Sequence, residues 1–182
     1  MGRHSEKLPF FIKKIIMDWY DFYQERINSS YQEYFEKRYA PFLDAINQLK
    51  NDSGIFELGC GIGSVSKAIG GKFEGIDLNL GMVMLANENT QTQNFRQGDI
   101  LETQVDRSTL KVTHGVLEHF DDELICTICE MNPNSIHYVP LDKYKTPSFG
   151  DERLLPYQYW LDLVCTVSWM LFNDDHDLMF IL

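Results

Sequence analysis

The 182-residue chain predicts an α/β fold built on a mostly parallel sheet. Two observations carry that prediction. From Asn51 onward short apolar runs alternate with helix-like stretches, and the first run ends in a glycine turn, Glu57-Leu58-Gly59-Cys60-Gly61-Ile62-Gly63. Strands alternating with helices make βαβ units, whose right-handed crossovers leave neighbouring strands parallel. A strand, a glycine turn and a helix start are also where such a sheet holds a nucleoside-containing cofactor. An acidic residue followed by three alternating glycines should arise by chance in on the order of 1% of chains of this length, so the turn is a signal rather than background.

The first fifty residues are helical in pattern. Phe11, Ile15, Trp19 and Tyr23 recur every four positions, and Pro41 opens a second run with Leu43, Ile46 and Leu49 on one side. Residues 1–50 therefore form an N-terminal helical segment that caps the site, and residues 51–182 form the core. The core opens with a strand at Ile55–Leu58 and a helix at Gly63–Ile69, directly after the turn. A strand at Phe73–Asp77, a helix at Gly81–Glu88 and a strand at Phe95–Gly98 follow. Next come a strand at Leu110–His114, a helix at Asp122–Met131 and a strand at Ser135–Val139. A polar loop from Leu141 to Arg153 leads to a helix at Leu155–Val164 and two apolar segments, Thr166–Phe172 and Leu178–Leu182. Asn173-Asp174-Asp175-His176 between those segments is the turn of a hairpin, so the last strand is antiparallel to its neighbour.

Composition narrows the function. With 44% hydrophobic residues the chain can bury a core without disulfides or metal. Its four cysteines, Cys60, Cys126, Cys129 and Cys165, fall inside apolar segments, and no leader pattern opens the chain, so a reduced, cytoplasmic location is expected. The longest apolar patches are interrupted by charged or polar residues and predict no membrane span. A formal charge of −11 argues against nucleic acid as a partner, because a nucleic-acid groove announces itself as a basic patch. Cys126 and Cys129 form a Cys-x-x-Cys, yet no second pair completes a tetrahedral metal site, and apolar neighbours assign them to core packing.

Asp77 ends the second strand eighteen residues after Gly59, where a carboxylate can accept both hydroxyls of a ribose held over the turn. The dinucleotide fingerprint wants a glycine or alanine where this chain has Ser64, which disfavours a pyrophosphate site. Asp99, in Gly98-Asp99-Ile100, places a carboxylate that can accept from an adenine amino group, with Ile100 able to cover the ring face.

In these residues the chain resembles the class I S-adenosylmethionine-dependent methyltransferases. Glu57 to Gly63 is similar to their cofactor turn, Gly75-Ile76-Asp77-Leu78 to their ribose-binding strand end, and Gly98-Asp99-Ile100 to their adenine segment. His114-Gly115-Val116-Leu117-Glu118-His119-Phe120 resembles the segment after strand 4 in many small-molecule members. The resemblance covers residues 51–182. It implies a Rossmann-like, doubly wound sheet of seven strands in the order 3-2-1-4-5-7-6 with an antiparallel last strand. It implies S-adenosyl-L-methionine as cofactor, held by Glu57, Gly59, Cys60, Gly61, Gly63, Asp77, Leu78, Asp99, Ile100 and Gly115, and a small-molecule methyl acceptor.

Members that methylate adenine or glutamine amides carry an Asn/Asp-Pro-Pro-aromatic tetrapeptide where this chain has His114-Gly115-Val116-Leu117, and the Pro-Cys nucleophile of cytosine C5 enzymes is absent. Those substrates are therefore not expected. His114 and His119 are the candidate catalytic residues, since a histidine can exchange a proton near neutral pH. Tyr20, Tyr23 and Tyr31 are either core aromatics or the roof of the acceptor pocket. Two other readings stay open on the residues alone: a non-catalytic cofactor-binding or regulatory protein on the same fold, and a nicotinamide-dependent oxidoreductase. The acceptor atom and the oligomeric state have no signature in the chain.

Overall fold

The computed structural model describes residues 19, 20, 22–24, 27, 29–148 and 151–182. Phe11 and Ile15, half of the first helical periodicity, lie outside the described residues, as do Phe149 and Gly150 of the polar loop. Trp19, Tyr20, Phe22, Tyr23 and Gln24 are helical. Two helices follow, α1 (Ser29–Arg38) and α2 (Ala40–Leu49). They are separate because Pro41, in the first turn of α2, has no N–H to continue the ladder of α1.

Beyond them the chain runs β1 (Ile55–Leu58), α3 (Ser64–Ile69), β2 (Phe73–Asp77), α4 (Leu80–Thr90), β3 (Phe95–Gln97) and β4 (Leu110–His114). It continues through a short 3-10 helix at Leu117–His119, then α5 (Asp122–Met131), β5 (Ser135–Pro140), a 3-10 turn at Asp142–Tyr144, α6 (Tyr157–Leu163), β6 (Ser168–Phe172) and β7 (Asp177–Ile181). The seven strands form one sheet in the order β3-β2-β1-β4-β5-β7-β6. The pairs from β3 to β5 are parallel, and β7 runs antiparallel to both β5 and β6. Order and direction are those expected from the resemblance.

Both faces of the sheet are covered, which is why β1 is buried at every residue instead of alternating. On one face Leu58, Ile76 and Val139 pack against Ile125 and Ile128 of α5 and Trp160 of α6. On the other, Ile55, Val112 and Ile136 meet Phe35 of α1, Phe42 and Ile46 of α2 and Val65 of α3. The N-terminal helices thus belong to the core's own packing rather than lying loosely over it. Cys129 is buried in the first cluster, and the four cysteines are free thiols.

Differences from the sequence reading are small and have local causes. The helix at Tyr157–Leu163 is shorter than Leu155–Val164, because Pro156 precedes it and bars Leu155 from the helical region. The hairpin turn holds Asn173, Asp174 and Asp175 at φ of 50°, 55° and 59°, a left-handed run that Asn and Asp tolerate better than other side chains. Among the described residues no helix is long and apolar enough to cross a membrane.

Candidate active site

The strand order reverses between β1 and β4, and the carboxyl ends of these two strands open a crevice there. The turn after β1 is fixed by its neighbour strand: the Cys60 N–H donates to the Ile76 carbonyl at 2.8 Å, and the Gly63 N–H to the Cys60 carbonyl at 2.8 Å. Asp77, at the end of β2, clasps the same turn. One carboxylate oxygen accepts from the Gly61 N–H at 2.9 Å and the other from the Asn79 N–H at 2.9 Å. Burial pushes the Asp77 carboxyl up to about 6, and these two backbone donors work against that rise.

Gly61 has φ +53°, and only the Met82 methyl, at 3.9 Å, would meet a Cβ placed there. Its bare backbone borders open space, which lets a ligand lie against the chain. Gly59 is needed for a different reason, since a Cβ there would sit 2.8 Å from a Val116 methyl in the loop after β4.

The crevice is a cavity of about 660 Å³. Of the residues implied as cofactor ligands, Gly59, Gly61, Asp77, Leu78, Asp99, Ile100 and Gly115 line it. Glu57, Cys60 and Gly63 do not. Glu57 is 4% exposed, and its Oε1 accepts from the Ser66 N–H at 2.8 Å, so it caps the first turn of α3 from beneath the glycines. Burial holds its carboxyl up at about 7. Asp99 accepts from the Leu101 N–H at 2.9 Å, which sets its carboxylate at the cavity edge.

Both candidate histidines line the cavity, in unlike surroundings. His114 sits in an aromatic box, with its ring centroid 4.3 Å from that of Tyr39, 4.4 Å from Tyr138 and 5.0 Å from Phe35. Burial lowers its pKa to about 3, so the ring is neutral near pH 7, and its buried Nε2 has no hydrogen-bond partner among the described residues. His119 instead has Nδ1 2.9 Å from Asp151 Oδ1, with the Trp19 ring edge-on at 5.6 Å.

Several wall residues were not singled out from the sequence. Arg38, at the end of α1, donates to Asp177 at 3.0 Å and also contacts the Tyr144 hydroxyl. Asp177 is fully buried and accepts from Tyr138 at 3.0 Å and Tyr144 at 2.7 Å. This cluster ties α1, β5, the turn after β5 and β7 into one wall. Glu118 is a second such residue: it is 1% exposed, and its Oε2 has no hydrogen-bond partner among the described residues. Glu152 lies across from it and accepts from the Ser148 N–H at 2.8 Å. No spacing rule could have joined Arg38 to Asp177, 139 residues away. Glu118 carried a signal, an acid inside an otherwise apolar post-strand segment.

A family model described as a methyltransferase domain matches residues 56–132, from β1 to just past α5. Among curated protein sequences none matches the chain. Solved structures share the fold at low identity. Human N-acetylserotonin methyltransferase, in complex with S-adenosylmethionine, aligns over 99% of this chain and 60% of its own length, with a TM-score of 0.60 and 13% identity. The geranyl diphosphate C-methyltransferase of Streptomyces coelicolor A3(2) aligns over 93% of this chain and 85% of its own, with a TM-score of 0.62 and 12% identity. The N-methyltransferase NodS of Bradyrhizobium japonicum WM9 aligns over 81% and 94%, with a TM-score of 0.58 and 14% identity. The chain therefore spans about 60% of the human enzyme's length, and these likenesses speak to the fold alone. Residues 56–132, under half of the chain, match the methyltransferase-domain model, and the strand order, the glycine turn and its partner Asp77 are those of the Rossmann-like fold of class I S-adenosylmethionine-dependent methyltransferases.

Proposed function

We propose that this chain binds S-adenosyl-L-methionine in the cavity and catalyses transfer of its methyl group to a small molecule. The observation that carries the reading is the open Gly61 backbone beside the Asp77 carboxylate, where a side chain at position 61 would occupy the ligand's place. The residues present fit the cofactor. Gly59, Gly61 and Gly115 would face its methionine and ribose part, Asp77 would accept from the ribose hydroxyls, and Asp99 with Ile100 would bracket adenine. Bound there, the sulfonium supplies a methyl group already activated for transfer, so little covalent chemistry is left to the protein.

The chain's own residues bind and align. Holding a nucleophile in line at roughly 3 to 3.5 Å supplies much of the rate enhancement in such a transfer. The acceptor chamber is the part of the cavity beyond His114, walled by Tyr39, Tyr138 and Tyr144 and roofed by Trp19 and Tyr23. Residues 1–50 act in this reading as the cap. His114, kept neutral in its aromatic box, can accept a hydrogen bond from the acceptor. His119, whose Nδ1 is held 2.9 Å from Asp151 Oδ1, is the better oriented of the two to act as a general base.

Calorimetry with S-adenosylhomocysteine tests the cofactor assignment. Asp77→Ala removes the ribose acceptor at a cost of about 1 to 3 kcal/mol, so affinity should fall by roughly 5- to 150-fold while the circular dichroism spectrum is kept. Unchanged affinity would sink the assignment. Tight binding with no turnover of any acceptor would favour a non-catalytic binding protein on this fold, and a preference for NAD over S-adenosylhomocysteine an oxidoreductase.

A further inference from the structure

The acceptor end of the cavity is strongly unbalanced in charge. Glu118, Asp151 and Glu152 line it, with Asp77 and Asp99 at the cofactor end of the same cavity, and among the described lining residues the one guanidinium, Arg38, is already paired with Asp177. Within this field Glu118, His119 and Glu152 each offer one acceptor atom, and the three atoms lie within 4.8 Å of one another. The buried Glu118 Oε2 has no donor among the described residues to offset its desolvation, and burial together with the nearby Glu152 pushes its carboxyl well up, toward the neutral form until a cation supplies donors. Such a site is completed by a cation that brings its own N–H donors.

We infer that the methyl acceptor is a small molecule bearing a primary ammonium group, held between Glu118, Glu152 and His119 under the Trp19 and Tyr23 rings. This rests on the cavity beyond His114 being the acceptor site. An ammonium carries three N–H donors in tetrahedral directions, and at about 2.8 Å each these reach acceptors about 4.6 Å apart. The three acceptor atoms lie within 4.8 Å of one another, so a single ammonium can reach all of them. A divalent metal would have to share Glu152 with Ser148, whose N–H and hydroxyl already donate to the two Glu152 oxygens at 2.8 Å. An N–H donor needs only the remaining lone pairs of Glu152. The rings of Trp19 and Tyr23, stacked on one another at 5.8 Å, line the same cavity, with Trp19 5.6 Å from the His119 ring, and an outer face of such a stack attracts an organic cation. Anionic acceptors such as diphosphates or carboxylates meet the wrong sign of field.

The test is calorimetric binding to protein saturated with S-adenosylhomocysteine, using methylammonium and phenethylammonium against their neutral isosteres methanol and 2-phenylethanol, all repeated on protein without S-adenosylhomocysteine. At least one ammonium should bind ten times or more tightly than its isostere. Glu118→Gln and Glu152→Gln should each bring that ratio to within about twofold, with S-adenosylhomocysteine affinity unchanged. Equal affinities, no binding of either ammonium, or a preference that survives both substitutions would overturn the assignment. Stabilisation by Mg²⁺ or Zn²⁺ alone that is lost in Glu118→Gln and His119→Ala would overturn it in favour of a metal. If S-adenosylhomocysteine itself does not bind, the cofactor reading fails, and the measurements without it still decide the ammonium site.

Discussion

Gly61 and Glu57 stand four residues apart on the same turn and do opposite things. Gly61 presents bare backbone to the cavity at φ +53°, so Gly61→Val puts a branched side chain into both a disfavoured conformation and the ligand's space. The variant should lose about 1 to 2 kcal/mol of stability in urea unfolding and more than tenfold of S-adenosylhomocysteine affinity. Normal binding would mean that no ligand rests on this turn. Glu57 is buried behind the glycines with its carboxyl held up at about 7 against an ordinary 4.5. Between those values the folded state keeps a proton that the unfolded chain has lost, so its contribution to stability is full below about pH 4.5 and fades as pH rises through about 7. Glu57→Gln keeps the neutral form at every pH. From about pH 5 to 8 the wild type should therefore lose up to roughly 3 kcal/mol relative to the variant, read from urea midpoints, and parallel midpoints would refute the buried, protonated state. His137, enclosed by the Thr113 and Ser135 hydroxyls and lowered by burial to about 3, works in the other sense and costs stability as pH falls below about 6.5. At this scale the glycines, Asp77 and Asp99 were legible because backbone conformation and strand-end position constrain residue type locally. The inward turn of Glu57 was not, since strand, glycines and acid look the same whether the carboxylate faces a ligand or a helix N-terminus.

Helix α1 shows what an element contributes. It is short and amphipathic only in part, yet its last residue, Arg38, reaches Asp177 at the start of β7. Arg38→Ala leaves Asp177 with Tyr138, Tyr144 and Asn173 as donors. The loss should then be about 1 to 3 kcal/mol, below the penalty for an uncompensated buried charge, and Arg38→Lys should recover part of it. Urea midpoints of the three proteins check this, and a variant as stable as wild type would mean that α1 is held by packing alone. The strands of the core were readable from alternation and apolar runs, to within a residue or two. The break between α1 and α2 was signalled by Pro41, but the packing of Phe35, Phe42 and Ile46 onto the sheet depends on contacts that no periodicity encodes. Deleting residues 1–40 would on this ground remove part of the core along with any cap, since Phe35 is 2% exposed.

Across the whole molecule, protection should follow position in the sheet. Amides of β1, β4 and β5, inside the sheet and buried on both faces, should exchange with solvent slowest, and those of the edge strands β3 and β6 fastest. Hydrogen exchange read by mass spectrometry checks the ranking, and an edge strand as protected as β4 would point to a partner covering it. The strand order itself followed from the family resemblance that motifs spread over the chain carry, and not from any spacing rule. The Asp177 cluster did not, since it forms only when distant elements meet. That cluster has a consequence for how the molecule is made. β6 leaves the ribosome before β7, yet it joins the sheet only through β7, which must slide in between β6 and β5. The first residue of β7 is Asp177, the acceptor that gathers Arg38, Tyr138 and Tyr144. Until that insertion the chain holds every residue of the five parallel strands and of the glycine turn, whereas the cluster around Asp177 cannot form. Order of synthesis thus separates the two sides of the cavity, the glycine-turn side being complete in the chain before the Asp177 side.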